Sequence, residues 1–202
     1  GMTFIMIGGG IDLSVGSFAA LMGALAIQTV NALGDTTSSV ILSILITIAV
    51  GALLGAGSGL LVTKGRIPPF VVTLGAMAIY RSLVLNFANG GVYMSRSSKY
   101  SSIGMMRVLG LPVPMIVFLI YVVVASIILE RTKFGRYVYA IGANETAALY
   151  SAINVDRIRT ATYVIGGISV SISAVLLSSM MSSVSSSSTG NGFELDAIAA
   201  AV

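Results

Sequence analysis

Five apolar runs dominate the sequence, at residues 13–33, 40–62, 68–87, 113–129 and 161–181. Each is roughly 17 to 23 residues long, against the ~20 that a helix rising about 1.5 Å per residue needs to cross a hydrocarbon core. Inside lipid a backbone must satisfy its own N–H and C=O groups, so runs of this length fold as helices. The composition points the same way. Hydrophobic residues make up 56% of the 202 and charged residues only 9%, whereas a domain facing water carries roughly 25% charged residues. The expectation is an all-α integral membrane protein: one domain over residues 1–202, folded as a polytopic transmembrane helical bundle with at least one broken helix. The Gly34-Asp35-Thr36-Thr37-Ser38-Ser39 turn joins the first two runs as an antiparallel pair.

Much chemistry is excluded by what is missing. The chain has no Cys and no His, which removes disulfides, cysteine zinc sites and the usual general base. Seven carboxylates offer little to metal-dependent or hydrolytic catalysis, so no cofactor, metal or catalytic residue is expected. The net charge of +4 reads as loop charge that sets orientation in a bilayer, not as a nucleic-acid surface. If the second run ends inside, Lys64, Arg66, Arg131, Lys133, Arg136, Arg157 and Arg159 share the cytoplasmic side. Arg96, Lys99 and Arg107 then lie outside, with Asp35 and Glu194. The chain opens already apolar at Gly1-Met2-Thr3-Phe4-Ile5, without a signal-peptide pattern, and residues 199–202 enter another apolar stretch. A piece of a longer protein, truncated at both ends, is the expectation.

Small residues punctuate the runs. Gly51, Gly55 and Gly59 repeat every four residues on one face of the second run, a spacing that lets helix backbones touch in lipid. The serines of the fifth run suit the same close packing. The serine run at 182–188 reads as a flexible outer loop.

Three places interrupt the apolar pattern. In Gly8-Gly9-Gly10-Ile11-Asp12-Leu13-Ser14 the glycines break a helix, and Asp12 or Ser14 can cap the one that follows. Two readings stay open: a broken helix lining a solute path with Asp12, Ser14 and Ser17, or a surface cap with Asp12 solvated. Lys64-Gly65-Arg66-Ile67-Pro68-Pro69 is a cytoplasmic turn entering the third run. Within that run, Arg81 is expected to snorkel outward, the alternative being a pair with a carboxylate such as Asp12. The loop at 130–159 holds Asn144 as a helix cap and Glu145 at the favourable end of a helix dipole, with Ala147, Ala148 and Ala152 forming a small-residue face. A docking helix and a plain amphipathic loop fit it equally.

Four stretches, taken in order, carry a resemblance across nearly the whole chain. They are Gly9-Gly10-Ile11-Asp12-Leu13-Ser14-Val15-Gly16-Ser17; Ile67-Pro68-Pro69-Phe70-Val71-Val72-Thr73-Leu74-Gly75 with Arg81; Phe134-Gly135-Arg136-Tyr137 through Ala140-Ile141-Gly142-Ala143-Asn144-Glu145; and Gly192-Phe193-Glu194-Leu195-Asp196-Ala197-Ile198-Ala199-Ala200. Together they resemble the permease subunits of bacterial ABC importers for ribose, xylose and galactose.

The resemblance implies a multi-pass subunit of the bacterial plasma (inner) membrane. It also implies a second permease subunit, usually an identical copy, a cytoplasmic ABC ATPase that uses ATP and Mg, and an extracytoplasmic sugar-binding protein. The segment from Asn144 to Ala152 then resembles the cytoplasmic coupling helix, and Ala152 stands where the family commonly has glycine. Such a permease performs no covalent chemistry of its own. The competing reading is a secondary transporter or channel without an ATPase, which calls for carboxylates inside the spans.

Overall fold

The computed structural model describes residues 1–108 and 110–201; Leu109 and Val202, the last residue of the terminal apolar stretch, lie outside the described residues. In chain order the elements are α1 (Met2–Ile7), α2 (Val15–Leu33), α3 (Thr37–Thr63), α4 (Pro69–Phe87), β1 (Val92–Met94), α5 (Ser98–Met105), β2 (Arg107–Val108) and β3 (Leu111–Pro112). Then follow α6 (Val113–Arg131), α7 (Lys133–Ala143), α8 (Glu145–Tyr150), α9 (Val155–Met181), β4 (Ser183–Ser185) and α10 (Phe193–Ala199). Among the described residues, α2, α3, α4, α6 and α9 are long and apolar enough to cross a membrane.

At α3 and α9 a polar cap, not apolar composition, sets where the helix begins. Thr36 accepts a hydrogen bond from Ser39 N and starts α3 ahead of its apolar run. Asn154 accepts one from Arg157 N, and Asp156 stands in the first turn, so α9 starts at Val155 instead of at residue 161. The expected loop at 130–159 therefore shrinks to α7, α8 and short joints, because α6 also continues to Arg131.

The central element is α2. Its residues 18–27 are apolar on every face, as a helix surrounded by protein requires. Phe18, Met22, Ile27 and Val30 pack with Tyr80 and Val84 of α4, Tyr100 of α5, and Val170 and Val175 of α9. The Phe18 and Tyr80 rings lie 4.9 Å apart. By contrast, none of the residues of α6 is buried. It leans on the bundle through contacts such as Tyr121, whose hydroxyl shares a 2.5 Å hydrogen bond with Ser169 Oγ.

Helices α3 and α9 meet backbone to backbone along the glycine face. A Cβ added at Gly55 would overlap the Tyr163 carbonyl, and one added at Gly167 would overlap the Gly51 carbonyl. At Gly59 it would stand 2.9 Å from Thr160 Cα. Thr63 and Thr160 close the seam with a 3.1 Å hydroxyl hydrogen bond, and Lys64 pairs with Asp156 at 3.0 Å just beyond it.

The serine run is not a free loop. Residues 183–185 form β4, which pairs antiparallel with β1, and Val184 is buried. The chain then returns along α2: Val184 faces Gly23, and the backbones of Gly190 and Gly16 touch. Irregular backbone packed inside a bundle needs donors from the protein itself. Arg81 supplies them, donating to the carbonyls of Ser186 (3.1 Å) and Thr189 (3.0 Å) and to Asn191 Oδ1 (2.9 Å). Arg81 thus neither snorkels nor pairs with Asp12. Glu194 likewise sits beside Gly16, near the start of α2, and not with Asp35 at the opposite end. The repetitive serines hid this return, because low complexity carries no hydrophobic period from which pairing could be read.

At that opposite end Asp35 organises the chain before α5. It accepts hydrogen bonds from Ser97 Oγ (2.5 Å), Ser98 Oγ (2.7 Å) and Lys99 N (3.0 Å). These donors hold its carboxyl well below the usual carboxylate range. A depressed folded-state pKa contributes stability above the unfolded pKa of about 4, and that contribution is lost as pH falls through the folded value. Asp35→Asn is therefore expected to melt below the parent at pH 6, with the gap closing as pH drops below about 4, measured by thermal unfolding in detergent. In the same assay Gly55→Leu should cost about 3 kcal/mol by forcing α3 from α9. Gly57→Ala, where nothing lies within 4 Å of the new Cβ, should instead stabilise by about 0.5–1 kcal/mol.

Candidate functional site

The break between α1 and α2 is built by glycine and by one carboxylate. Gly8, Gly9 and Gly10 donate back to the carbonyls of Phe4, Met6 and Ile5, ending α1. Gly9 turns the chain with φ of 76°, a left-handed conformation that glycine adopts without strain. Asp12 Oδ1 then accepts from Ser14 N (2.8 Å) and Ser14 Oγ (2.6 Å), an Asx turn that points the chain into α2. Ser17 Oγ donates to the Ser14 carbonyl at 3.0 Å.

Asp12 is only 6% exposed, which overturns the solvated surface cap. It borders a cleft of about 520 Å³ whose wall also includes Val15, Ala19, Ser169, Ser173 and Asp196. Ser14 and Ser17 are each 1% exposed and stand outside that wall. This corrects their expected place: both hydroxyls are spent on Asp12 and on local backbone, so they shape the turn and leave Asp12 to face the cleft.

Two carbonyls released by the break are met from one face of α9. Arg159 Nε donates to the Gly8 carbonyl at 3.4 Å, and the Tyr163 hydroxyl donates to the Ile11 carbonyl at 3.2 Å. Residues four apart share a helix face, so one helix serves both.

Arg159 also reaches α8. Its Nη1 and Nη2 donate to Glu145 Oε1 and Oε2 at 3.3 and 2.8 Å. Asn144 caps α8, its Oδ1 accepting from Ala147 N at 3.0 Å. Ala147 faces outward, but Ala148 is 3% exposed and packs against Ile141 and Val155. Ala148 therefore belongs to the underside of α8 and not to an outer docking face. Sequence reasoning passed over Leu149 and Tyr150, which are 55% and 89% exposed. Two bulky apolar side chains inside a polar loop were the signal available. A groove of about 940 Å³ runs beside them, between α8 and the α3–α4 turn, with Glu145, Arg66, Pro68 and Arg159 on its walls.

Helix α8 ends in a tight turn at Ala152, which has φ of 59°. Ala152 N donates to the Leu149 carbonyl (3.0 Å) and Ile153 N to the Ala148 carbonyl (3.1 Å), the paired bonds of a Schellman ending. The turn that glycine commonly makes is thus formed here by alanine, with the steric cost that a Cβ brings to a left-handed residue.

The broken helix within a bundle of apolar helices, with a capped helix pair at its most basic end, defines a polytopic membrane helical bundle. Residues 1–202 match the family described as branched-chain amino acid transport system / permease component, and the chain belongs to that family of transport permeases. It is similar to the ribose import permease protein of Bacillus subtilis, at 39% identity over 204 residues, covering 100% of this chain and 62% of the relative. The ribose import permease protein of Haemophilus influenzae is 37% identical over 206 residues, again covering 100% of this chain and 62% of the relative. The xylose transport system permease protein of Escherichia coli K12 is 31% identical over 263 residues, covering 100% of this chain and 66% of the relative. The chain thus spans less than two thirds of the length of these relatives. No solved structure matches it.

Ala152→Gly is expected to raise stability by about 1 kcal/mol, since glycine carries no Cβ penalty at this angle. Thermal unfolding checks it, and a fall in stability would mean that the left-handed turn is not held.

Proposed function

We propose that the chain is part of the membrane-spanning permease subunit of an ATP-driven ABC importer that moves a monosaccharide of the ribose or xylose type into a bacterial cell. The observation that carries this reading is the similarity of the whole of this chain to part of ribose and xylose permeases, joined to an exposed capped helix at the basic end of the bundle. That end gathers Lys64, Arg66, Arg131, Lys133, Arg136, Arg157 and Arg159 around the turns of α3, α6, α7 and α9, and by the positive-inside rule it faces the cytoplasm of an inner-membrane protein.

In this reading α8 is the coupling helix. Asn144, Glu145 and Ala147 present its first turn to a cytoplasmic ATPase, with Leu149 and Tyr150 as the apolar anchors and Ala152 closing the helix. ATP and Mg are used in that partner, and the permease itself performs no covalent step. Asp12, in the wall of the cleft beside the break, is the path-facing group. A carboxylate there accepts hydrogen bonds from sugar hydroxyls, while the apolar wall excludes competing water. The apolar, unburied α6 belongs to lipid or to other helices of the assembled pair of permease subunits. A sugar-binding protein approaches the end that carries Asp35 and α5.

Two states of the bundle, with the cleft open to one side or the other, are biased by ATPase contacts at α8. The test is recovery of the cognate ATPase with the tagged full-length permease from native membranes. Stoichiometric recovery is expected, reduced at least about tenfold by Tyr150→Asp, in line with loss of an apolar anchor worth about 2 kcal/mol. Glu145→Lys should act in the same direction. Failure to recover any ATPase from intact permease would overturn the reading in favour of a transporter with its own energy source.

A further inference from the structure

Arg159 is the one side chain that touches both the α8 helix and the break ahead of α2 among the hydrogen bonds of the described residues. Its side chain is 18% exposed, and its guanidinium forks onto both oxygens of Glu145 and turns its remaining edge to the Gly8 carbonyl. A planar group with five fixed donors holds two partners in a set relative position, which a flexible point charge does not. A second contact reinforces the first. A Cβ added at Gly142 of α7 would overlap the Ile7 carbonyl, so the end of α1 rests directly on the helix pair.

The break is therefore gripped at both ends by elements that do not belong to it. Helix α9 holds it through Arg159 and Tyr163, α7 presses on the end of α1 through Gly142, and α8 reaches it through the Glu145–Arg159 pair. The Gly8–Gly10 backbone between these contacts is the segment with fewest side chains to resist a change of angle. Asp12 lies two residues beyond it.

We propose that Arg159 is the positioning residue that transmits movement of α8 to the broken helix, and so to the placement of Asp12 in the cleft. The proposal rests on the importer reading above. When α8 is displaced by its partner, the Glu145–Arg159 fork carries the displacement to the Gly8 carbonyl, and the glycine turn rotates as a hinge. Closely packed elements respond by switching between discrete arrangements, so a small shift at α8 suffices.

The chain has no cysteine, so Val15→Cys places a single thiol in these residues, on the cleft wall at the start of α2. In the full-length permease, further native cysteines would be removed first. The protein is reconstituted in proteoliposomes with its ATPase and binding protein, and maleimide labelling of that thiol is followed with and without ATP plus vanadate. With Arg159 present, the labelling rate should change on nucleotide trapping. Arg159→Gln should reduce that change, and sugar uptake per ATP hydrolysed, about tenfold with the ATPase still bound. Arg159→Lys keeps the charge but not the fork, and should lie between, reduced about threefold.

A merely structural role would lower the melting temperature without separating ATP hydrolysis from uptake. A parental response from either variant overturns the link, and the lysine variant decides the matter if the glutamine variant does not fold. A parent chain whose labelling ignores nucleotide while its ATPase is bound also overturns it. Absence of a bound ATPase in the parent would instead remove the importer reading, and the link with it.

Discussion

A backbone carbonyl freed from a helix inside an apolar bundle needs a donor, because neither lipid nor apolar side chains can provide one. This requirement governs two irregular segments packed against the central helix. At the first, residues 8–14, Arg159 and Tyr163 of α9 bond the Gly8 and Ile11 carbonyls. At the second, the return after β4, Arg81 of α4 bonds the Ser186 and Thr189 carbonyls. The basic residues that break the apolar pattern of the helices are thus the complement of the places where the helices themselves are interrupted. Helices α4 and α9 each lend donors to a segment that cannot satisfy itself.

The two segments meet at α2. Gly16 touches Gly190, and Glu194 stands alongside, so the break, the return and α10 together enclose one end of the central helix. Close approach there depends on the absence of side chains, as it does along the α3–α9 seam at Gly51, Gly55 and Gly59. Glycine serves two separate purposes in this fold. At Gly9 it permits a left-handed turn, and at Gly16 or Gly55 it permits contact between backbones. The arrangement places a carboxylate, a glycine backbone turn and the helix pair at the basic end within one chain of direct contacts.

Much of this is legible in the sequence. Hydropathy located the five long helices, the glycine triplet located the break, and Asn144 marked the start of α8. Boundaries shifted where caps extended a helix past its apolar run, as Asn154 does for α9. Site residues were less legible. Asp12 reaches the cleft wall, but Ser14 and Ser17 turn inward, and Ala148 is covered by Ile141 and Val155. A six-residue helix has too short a period for sequence alone to say which alanine faces out. Leu149 and Tyr150 are visible as apolar residues in a polar loop, yet only the tertiary structure shows them exposed and not part of a core.

The sequence by itself determined the solvent of this protein, the number of its long helices, and the place where one of them must break. Those properties depend on local composition: apolar length against bilayer thickness, and glycine against helix propensity. Tertiary structure alone decided that Arg81 binds a returning loop, that the serine run forms a strand beside β1, and that Arg159 joins Glu145 to Gly8. These are contacts between groups up to 151 positions apart. Which donor meets which carbonyl depends on how helices cross, and no local pattern encodes the angle at which two apolar helices settle against each other.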